Sequence, residues 1–377
     1  MRNVAVVFGG KSCENEISIL TGVFVLNVLD REKYNPVPVY VHTDGGMYTS
    51  SKMNDLRVFK ERKYGCFERV FFDGGTMYAL NAKKNKIKEM CRIDVALNCC
   101  HGGLGEGGGV SAMAAWNGIP LASPDITPSA VFLDKCLTKI VMQGLNIPTL
   151  DYIRVNESDY KKRAAFLLKR VGTKLKYPVV IKPAHLGSSI GITVARTEEE
   201  VKTGMEIAFA LDHRLIIEKY LENKQDVNCA AYESDGEIYV SEPESAFGKG
   251  VYSFEEKYIR RTSDGVGGKT GNHAKEGGRC ALTPDLREKI RAYTKTVYKR
   301  MNLKGVVRMD FLVSEGKVYL CEVNTVPGSL AYYLFCERVS DARAFFGDLI
   351  EEGIRDFAKK EKKLITTGIL KTANVRK

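Results

Sequence analysis

Residues 321–328 read CEVNTVPG and follow an apolar run, VYL, that has the composition of a strand. Alternation along a strand puts Glu322 and Asn324 on one face, and Pro327-Gly328 ends the strand just beyond them. A turn at Ser314-Glu315-Gly316-Lys317 would fold the preceding run, VVRMDFLV, back alongside and bring Asp310 nearly opposite Glu322. Two carboxylates and an amide oxygen on one face make a hard-oxygen set, which suits Mg²⁺ and phosphate oxygens better than it suits Zn²⁺. The same residues also fit the solvated face of an edge hairpin, and the hairpin alone does not decide between the two.

Around this hairpin lies a chain of 377 residues, room for two or three domains, with 44% hydrophobic and 27% charged residues, a globular balance. No repeat or low-complexity tract interrupts it, and its apolar runs are too short to span a membrane. The N-terminal MRNVAVVFGG has too brief an apolar run for a signal peptide, so a cytoplasmic protein is expected. The ten cysteines form no Cys-x-x-Cys pair and mostly sit in apolar segments, the pattern of reduced, buried thiols. The net charge is +11, but lysines and arginines are spread widely and are densest near the C-terminus (KKEKK). That distribution favours a solvated basic surface, with some lysines serving a small anionic ligand, over a nucleic-acid groove.

Working outward, NVAVVF (3–8), PVPVYV (36–41) and DVALNC (94–99) read as strands, with helices near 12–29 and 110–117. This is the alternation of an open parallel α/β domain, in which ligands gather at the carboxyl ends of strands; GGKSCENE and HGGLGEGGG both follow strands there. A helix at 134–148, stopped by Gly144 and Pro148, marks a boundary. Strand, helix, strand, helix and strand follow in DYIRV, 158–171, YPVVIKPA, EEEVKTGMEIAFAL and RLIIEKYL. From about 222 the strands run in tandem with a turn at Asp235-Gly236, and a Gly/Lys-rich stretch within about 252–280 has the length of a lid. A helix at 284–301, the hairpin, and a helical region at 339–361 close the chain, with Phe345, Phe346, Leu349, Ile350, Ile354 and Phe357 as a core stripe.

Two further segments carry possible chemistry. In YPVVIKPAHLGSSIGI (177–192), Lys182 ends a buried strand before a Gly-Ser loop, where backbone amides can approach phosphate oxygens and the lysine adds a point charge. Neither G-x-x-x-x-G-K-[ST] nor G-x-G-x-x-G is present, so an ordinary turn is an equal reading. In LIIEKYLENKQD (215–226), backbone groups from Glu218 to Leu221 could read an adenine edge and Asp226 could accept from ribose hydroxyls; a solvated strand end is the plainer alternative.

Taken in order, VVFGGKSCENEIS, HGGLGE, KP-x-x-x-GSS-x-G, IEKYL, KY at 257–258, RMDF and EVNTVPG resemble the ATP-grasp fold and, within it, the D-alanine:D-alanine ligase family, over about residues 3–358. The resemblance implies mixed α/β and α+β architecture in three domains: an N-terminal open parallel α/β domain (1–133), a central ATP-grasp subdomain (134–220) and a C-terminal one (221–377). It implies ATP and two Mg²⁺ ions, with Mn²⁺ an alternative, and D-alanine or related amino acids as substrates. Lys135, Lys182 and the lid residue Lys257 would hold ATP phosphates; Glu218, Lys219 and Leu221 would line the adenine, and Asp226 the ribose. Asp310, Glu322 and Asn324 match the family's metal ligands, and Arg308 and the Gly328 N–H its oxyanion stabilisers. Glu14, with Ser188 and Tyr258, would anchor the first amino acid's ammonium group near His101 and Glu106. The family is often dimeric, so a homodimer is compatible with the resemblance.

Two departures bear on the second substrate. The family usually writes GEDGTLQG where this chain has GEGGGVSA (105–112), and it places a serine nine residues past the asparagine where this chain has Tyr333. The leading expectation is an ATP-dependent ligase making D-Ala-D-Ala for peptidoglycan precursor. The alternatives are a ligase with another acceptor or donor, such as D-Ser or the partners of a specialised dipeptide, and a nucleotide-binding protein without catalysis. Retention of Glu14, Lys182, Arg308, Asp310, Glu322 and Asn324 argues against the last.

Overall fold

The computed structural model describes residues 1–81, 84–245, 282–360 and 367. The expected lid, with Lys257 and Tyr258, lies outside the described residues. Three sheets organise the rest.

The first sheet has the order β6-β5-β4-β3-β2-β1-β7. Its parallel part is the one legible in the sequence: β1 (Arg2–Gly9) lies between β2 (Tyr34–Val41) and β7 (Val95–Asn98). The sheet is not wholly parallel. β3 (Met47–Thr49), β4 (Glu68–Asp73), β5 (Thr76–Asn81) and β6 (Lys86–Arg92) extend it as an antiparallel meander. Helix α1 (Asn15–Val28) covers one face, and α2 (Leu56–Lys60), α3 (Val110–Trp116) and α4 (Ile126–Leu133) complete this region.

Helix α5 (Lys135–Gly144) starts at Asp134, whose carboxylate accepts from the Cys136 and Leu137 N–H groups, orphan donors of the first turn. The second sheet, β10-β9-β11-β8, is formed by β8 (Tyr152–Asn156), β9 (Val179–Pro183), β10 (Thr193–Ala195) and β11 (Arg214–Lys219). Helices α6 (Glu157–Lys174) and α7 (Glu198–Phe209) pack on it through Leu167, Val171, Val201 and Met205.

The third sheet holds β12 (Gln225–Ser234), β13 (Glu237–Val240), β14 (Glu244–Ser245), β15 (Val307–Ser314) and β16 (Lys317–Asn324), backed by α8 (Pro284–Arg300). Its hairpins turn at Asp235-Gly236 and Glu315-Gly316, where φ is positive at both residues of each pair, as type I′ turns require. The final helix α9 (Ala342–Lys360) returns to the first unit: Phe345, Phe346, Leu349 and Ile350 share a core with Phe8, Phe24 and Tyr332. The stripe fades at its end, because Phe357 is 38% exposed. Among the described residues, no helix is long and apolar enough to cross a membrane.

Candidate active site

A cavity of about 70 Å³ lies where the three units meet. Glu14, His101, Glu106, Lys135, Arg308, Glu322, Asn324 and Gly328, all singled out in the sequence, line it. Each arrives from the end of an element: Glu14 from the β1–α1 loop, His101 and Glu106 from beyond β7, Lys135 from the first turn of α5, and the rest from the third sheet and its exit.

The hairpin supplies its face through a bulge. Ser314 pairs with Lys317 and Phe311 with Leu320, and continuing that register would set Cys321 opposite Asp310 and turn Glu322 to the other side. The register shifts there, so Asp310 pairs with Glu322 and Arg308 with Asn324. Asn228 of β12 pairs with Asp310 from the other side and joins the same row. The extra residue, Cys321, meets Lys182, whose Nζ lies 3.7 Å from its Sγ. Cys321 is therefore a half-buried thiol beside the site, whereas Cys99, Cys100, Cys136 and Cys229 are the buried thiols the sequence suggested and Cys13 and Cys66 are exposed.

Charge is balanced locally. Arg308 donates from Nε and Nη2 to the two oxygens of Asp310 at 2.7 and 2.9 Å, and from Nη1 to the Tyr333 hydroxyl at 3.4 Å. Asn324 Nδ2 donates to Asp310 at 3.1 Å. Lys135 Nζ lies 3.8 Å from Glu322 and donates to the Leu186 carbonyl at 2.5 Å. Glu218, buried at the end of β11, is flanked by Lys139 and Lys182, each with Nζ 2.5 Å from one of its oxygens. Burial opposes the Glu218 charge, but the two lysines prevail and hold its pKa down to about 2. Its carboxylate thus faces the phosphate-side lysines, while Lys219 is exposed beside half-buried Leu221. Asp226, at the start of β12, pairs with Lys224 at 2.5 Å.

On the other wall, Ser188 donates to Glu14. The Glu14 carboxylate fits between glycines: a Cβ on Gly102 would come within 2.6 Å of it, and one on Gly187 within 2.7 Å. His101 joins this wall to the third sheet's exit. Its Nδ1 is 2.7 Å from the Val326 carbonyl, which can only accept, so Nδ1 carries the proton; Nε2 then accepts from Thr21 at 2.7 Å. Thr21 in turn accepts from the Ser329 N–H. Burial lowers the His101 pKa, in keeping with a neutral ring. Glu106 accepts from the N–H groups of Gly102 at 2.8 Å and Val326 at 3.3 Å, and burial pushes its pKa up to about 7. The GEGGG departure forms one π-helical turn, 105–109, in which Gly108 takes φ +108° and a Cβ on Gly107 would come within 2.6 Å of the end of the Leu133 side chain.

Sequence reasoning did not single out Lys139, Thr21, Asn228 or Cys321. Only Lys139 left a trace, as a second lysine four residues after Lys135 on the same helix face.

Comparison with known proteins follows this geometry. The family model for the D-ala D-ala ligase N-terminus matches residues 3–124, and that for the D-ala D-ala ligase C-terminus matches 141–355. A D-alanine--D-alanine ligase of Thermosipho melanesiensis is 31% identical over 98% of this chain and 99% of its own length. One from Caldicellulosiruptor bescii is 30% identical over 93% of each. The solved D-Alanine-D-Alanine Ligase of Helicobacter pylori shares the fold at TM-score 0.75 with 24% identity, covering 96% of this chain and all (100%) of the other. VanG D-Ala:D-Ser Ligase of Enterococcus faecalis does so at 0.72 with 22% identity, covering 94% of this chain and 99% of its own. The ATP-grasp architecture expected from the sequence thus stands, and the chain belongs to the D-alanine:D-alanine ligase family.

Proposed function

We propose that the protein is a cytoplasmic ATP-dependent ligase that joins two D-alanines through an acyl phosphate, giving D-Ala-D-Ala for peptidoglycan precursor. The observation that carries this reading is the single cavity in which an ammonium anchor (Glu14), an oxyanion pair (Arg308 and Gly328) and a carboxylate–amide face (Glu322 and Asn324, beside Asp310) converge. Division at 133/134 and 220/221 into three domains accompanies it, each contributing one wall.

The oxygen donors of Asp310, Glu322 and Asn324 share one face of the sheet and fit a hard divalent cation, two Mg²⁺ or Mn²⁺ ions by family pattern. When bound, these ions supply positive charge to the phosphate oxygens of ATP. Lys135 and Lys182 lie beside that face, the second held in place by Glu218, and add charge where a substrate carboxylate meets the γ-phosphate. Lys219 and Leu221 at the end of β11 take the adenine edge, and Asp226 the ribose.

Glu14 and Ser188 hold the first D-alanine by its ammonium group, with His101 and Glu106 fixing the surrounding backbone. Its carboxylate attacks the γ-phosphate, releasing ADP, and the phosphate becomes the leaving group the carboxylate lacked. The free amine of the second D-alanine then adds to the acyl carbon, and the proton it loses in becoming an amide leaves with the phosphate. Negative charge develops on the former carbonyl oxygen, where the Arg308 guanidinium and the Gly328 N–H receive it; collapse expels phosphate and leaves the peptide bond.

A second reading, the same chemistry with another acceptor, is favoured by Tyr333, whose hydroxyl meets Arg308 inside the site. Phosphate release from ATP and Mg²⁺, measured with single amino acids and pairs, tests both. Release with D-alanine alone is expected. Release only with a different pair would select the second reading, and none with any pair would overturn both.

A further inference from the structure

Behind the Gly-Ser loop, at the rim of the substrate cavity, lies a cluster that the ligase reading does not use. Asp212, at the turn into β11, is held by two backbone donors, the N–H groups of His185 (2.8 Å) and Arg214 (3.2 Å). His185 Nδ1 stands 3.0 Å from each Asp212 oxygen, and His213 Nδ1 is 3.3 Å from Oδ1. One donor atom from each of the three residues lies within 4.8 Å of the other two.

We infer that His185, Asp212 and His213 form a binding site for a borderline divalent transition-metal ion of the Zn²⁺ class. Two imidazole nitrogens and one carboxylate oxygen make an N/O donor set that Zn²⁺ and Co²⁺ prefer and Mg²⁺ does not. The carboxylate is oriented in advance by its two N–H donors. His185 has a further partner on its far side, since Nε2 lies 3.4 Å from Asp134 Oδ2. A metal-bound imidazole with Nε2–H directed at a carboxylate is the usual supporting arrangement. Asp134 is itself anchored by Arg214 and by the first turn of α5.

The two rings stack at 5.3 Å with an interplanar angle of 18°, so His213 must turn about its side-chain bonds to aim a nitrogen at an ion shared with His185. Its side chain is 72% exposed, which leaves it free to turn and opens the site to solvent. Three protein ligands leave a fourth position to water. An ion there would tie His185, which lines the substrate cavity, to the start of β11.

Titration of the chelator-treated full chain with Co²⁺, followed by visible absorption, tests the site. One equivalent binding with a four-coordinate spectrum, without thiolate charge-transfer bands, and displaced by Zn²⁺ is the expected result. His213→Ala should keep its fold by circular dichroism and bind Co²⁺ more than about tenfold less tightly. His185→Ala should bind less tightly by at least as much. Absence of stoichiometric binding would overturn the inference and leave the cluster as ion pairs alone. Unchanged binding by both variants, or thiolate bands, would also overturn it by placing the ion elsewhere.

Discussion

Gly187 has no side chain because the Glu14 carboxylate fills that space. A Cβ there would lie 2.7 Å from Oε2 and 3.0 Å from Oε1, and the end of Glu14 is free to give way while the backbone is not. Gly187→Ala should therefore displace the ammonium anchor without unfolding the chain. We expect kcat/KM to fall about a hundredfold while the denaturation midpoint shifts by no more than about 1 kcal/mol of stability; comparable losses in both would show that the glycine serves packing. Glu218 gives a pH signature. Its folded pKa is depressed from 4.5 to about 2, so its stabilising contribution is complete above about 4.5 and lost as pH falls through about 2. Glu218→Gln should cost about 3–5 kcal/mol near neutrality, since Lys139 and Lys182 lose their buried counter-charge. The gap between variant and parent, followed by denaturant unfolding, should close on acidification between these two values. Most such residues were legible through the ordered set of motifs that carries the family resemblance, since each segment alone also fits an ordinary turn or a solvated strand end. Lys139 was less so: only the fold shows that a lysine facing inward from α5 finds Glu218 there.

Elements were read with less certainty where geometry depends on one residue. The sequence suggested a hairpin with Asp310 and Glu322 on one face, and that face exists, but only through the bulge at Cys321. Alternation predicts a face within one strand; the offset between strands follows from backbone hydrogen bonding that leaves no mark in composition. The antiparallel meander from β3 to β6 escaped for a related reason, since β6 is exposed along most of its length and its residues lack an apolar alternation. Past Gly328 the chain makes a left-handed turn, with φ of 51°, 52° and 48° at Ser329, Leu330 and Ala331, held by the buried side chains of Leu330 and Ala331. This turn delivers Tyr333 to Arg308. Tyr333→Ser should shift KM for the second amino acid by about tenfold, the worth of one hydrogen bond to a charged group, and leave KM for the first within about twofold. Equal shifts in both would place Tyr333 outside the acceptor pocket.

At the scale of the whole molecule, the site is where the three sheets are joined, and the contacts that cross it are mostly polar. Lys135 and Lys182 from the central unit face Glu322 and Cys321 of the third, while His101 and Glu106 of the first hold the segment around Val326. Among the described residues, α9 and the segment after Gly328, with Leu330, Ala331 and Tyr332, tie the third unit back to the first through an apolar core. A ligand that carries phosphate negative charge and divalent cations into this junction binds the assembled arrangement and not the separated units, so it should stabilise the chain by mass action. At a hundredfold excess over Kd that is about 2.7 kcal/mol. ATP and Mg²⁺ together should therefore raise Tm by several degrees, and either one alone by much less. Glu322→Gln, which weakens the metal face while keeping the side chain's size and leaving Lys135 its bond to the Leu186 carbonyl, should leave the ligand-free Tm nearly unchanged, abolish turnover and suppress most of the shift. A full shift in that variant, measured by differential scanning calorimetry, would mean that ATP is held without the Asp310–Glu322–Asn324 face and that the metal assignment is wrong.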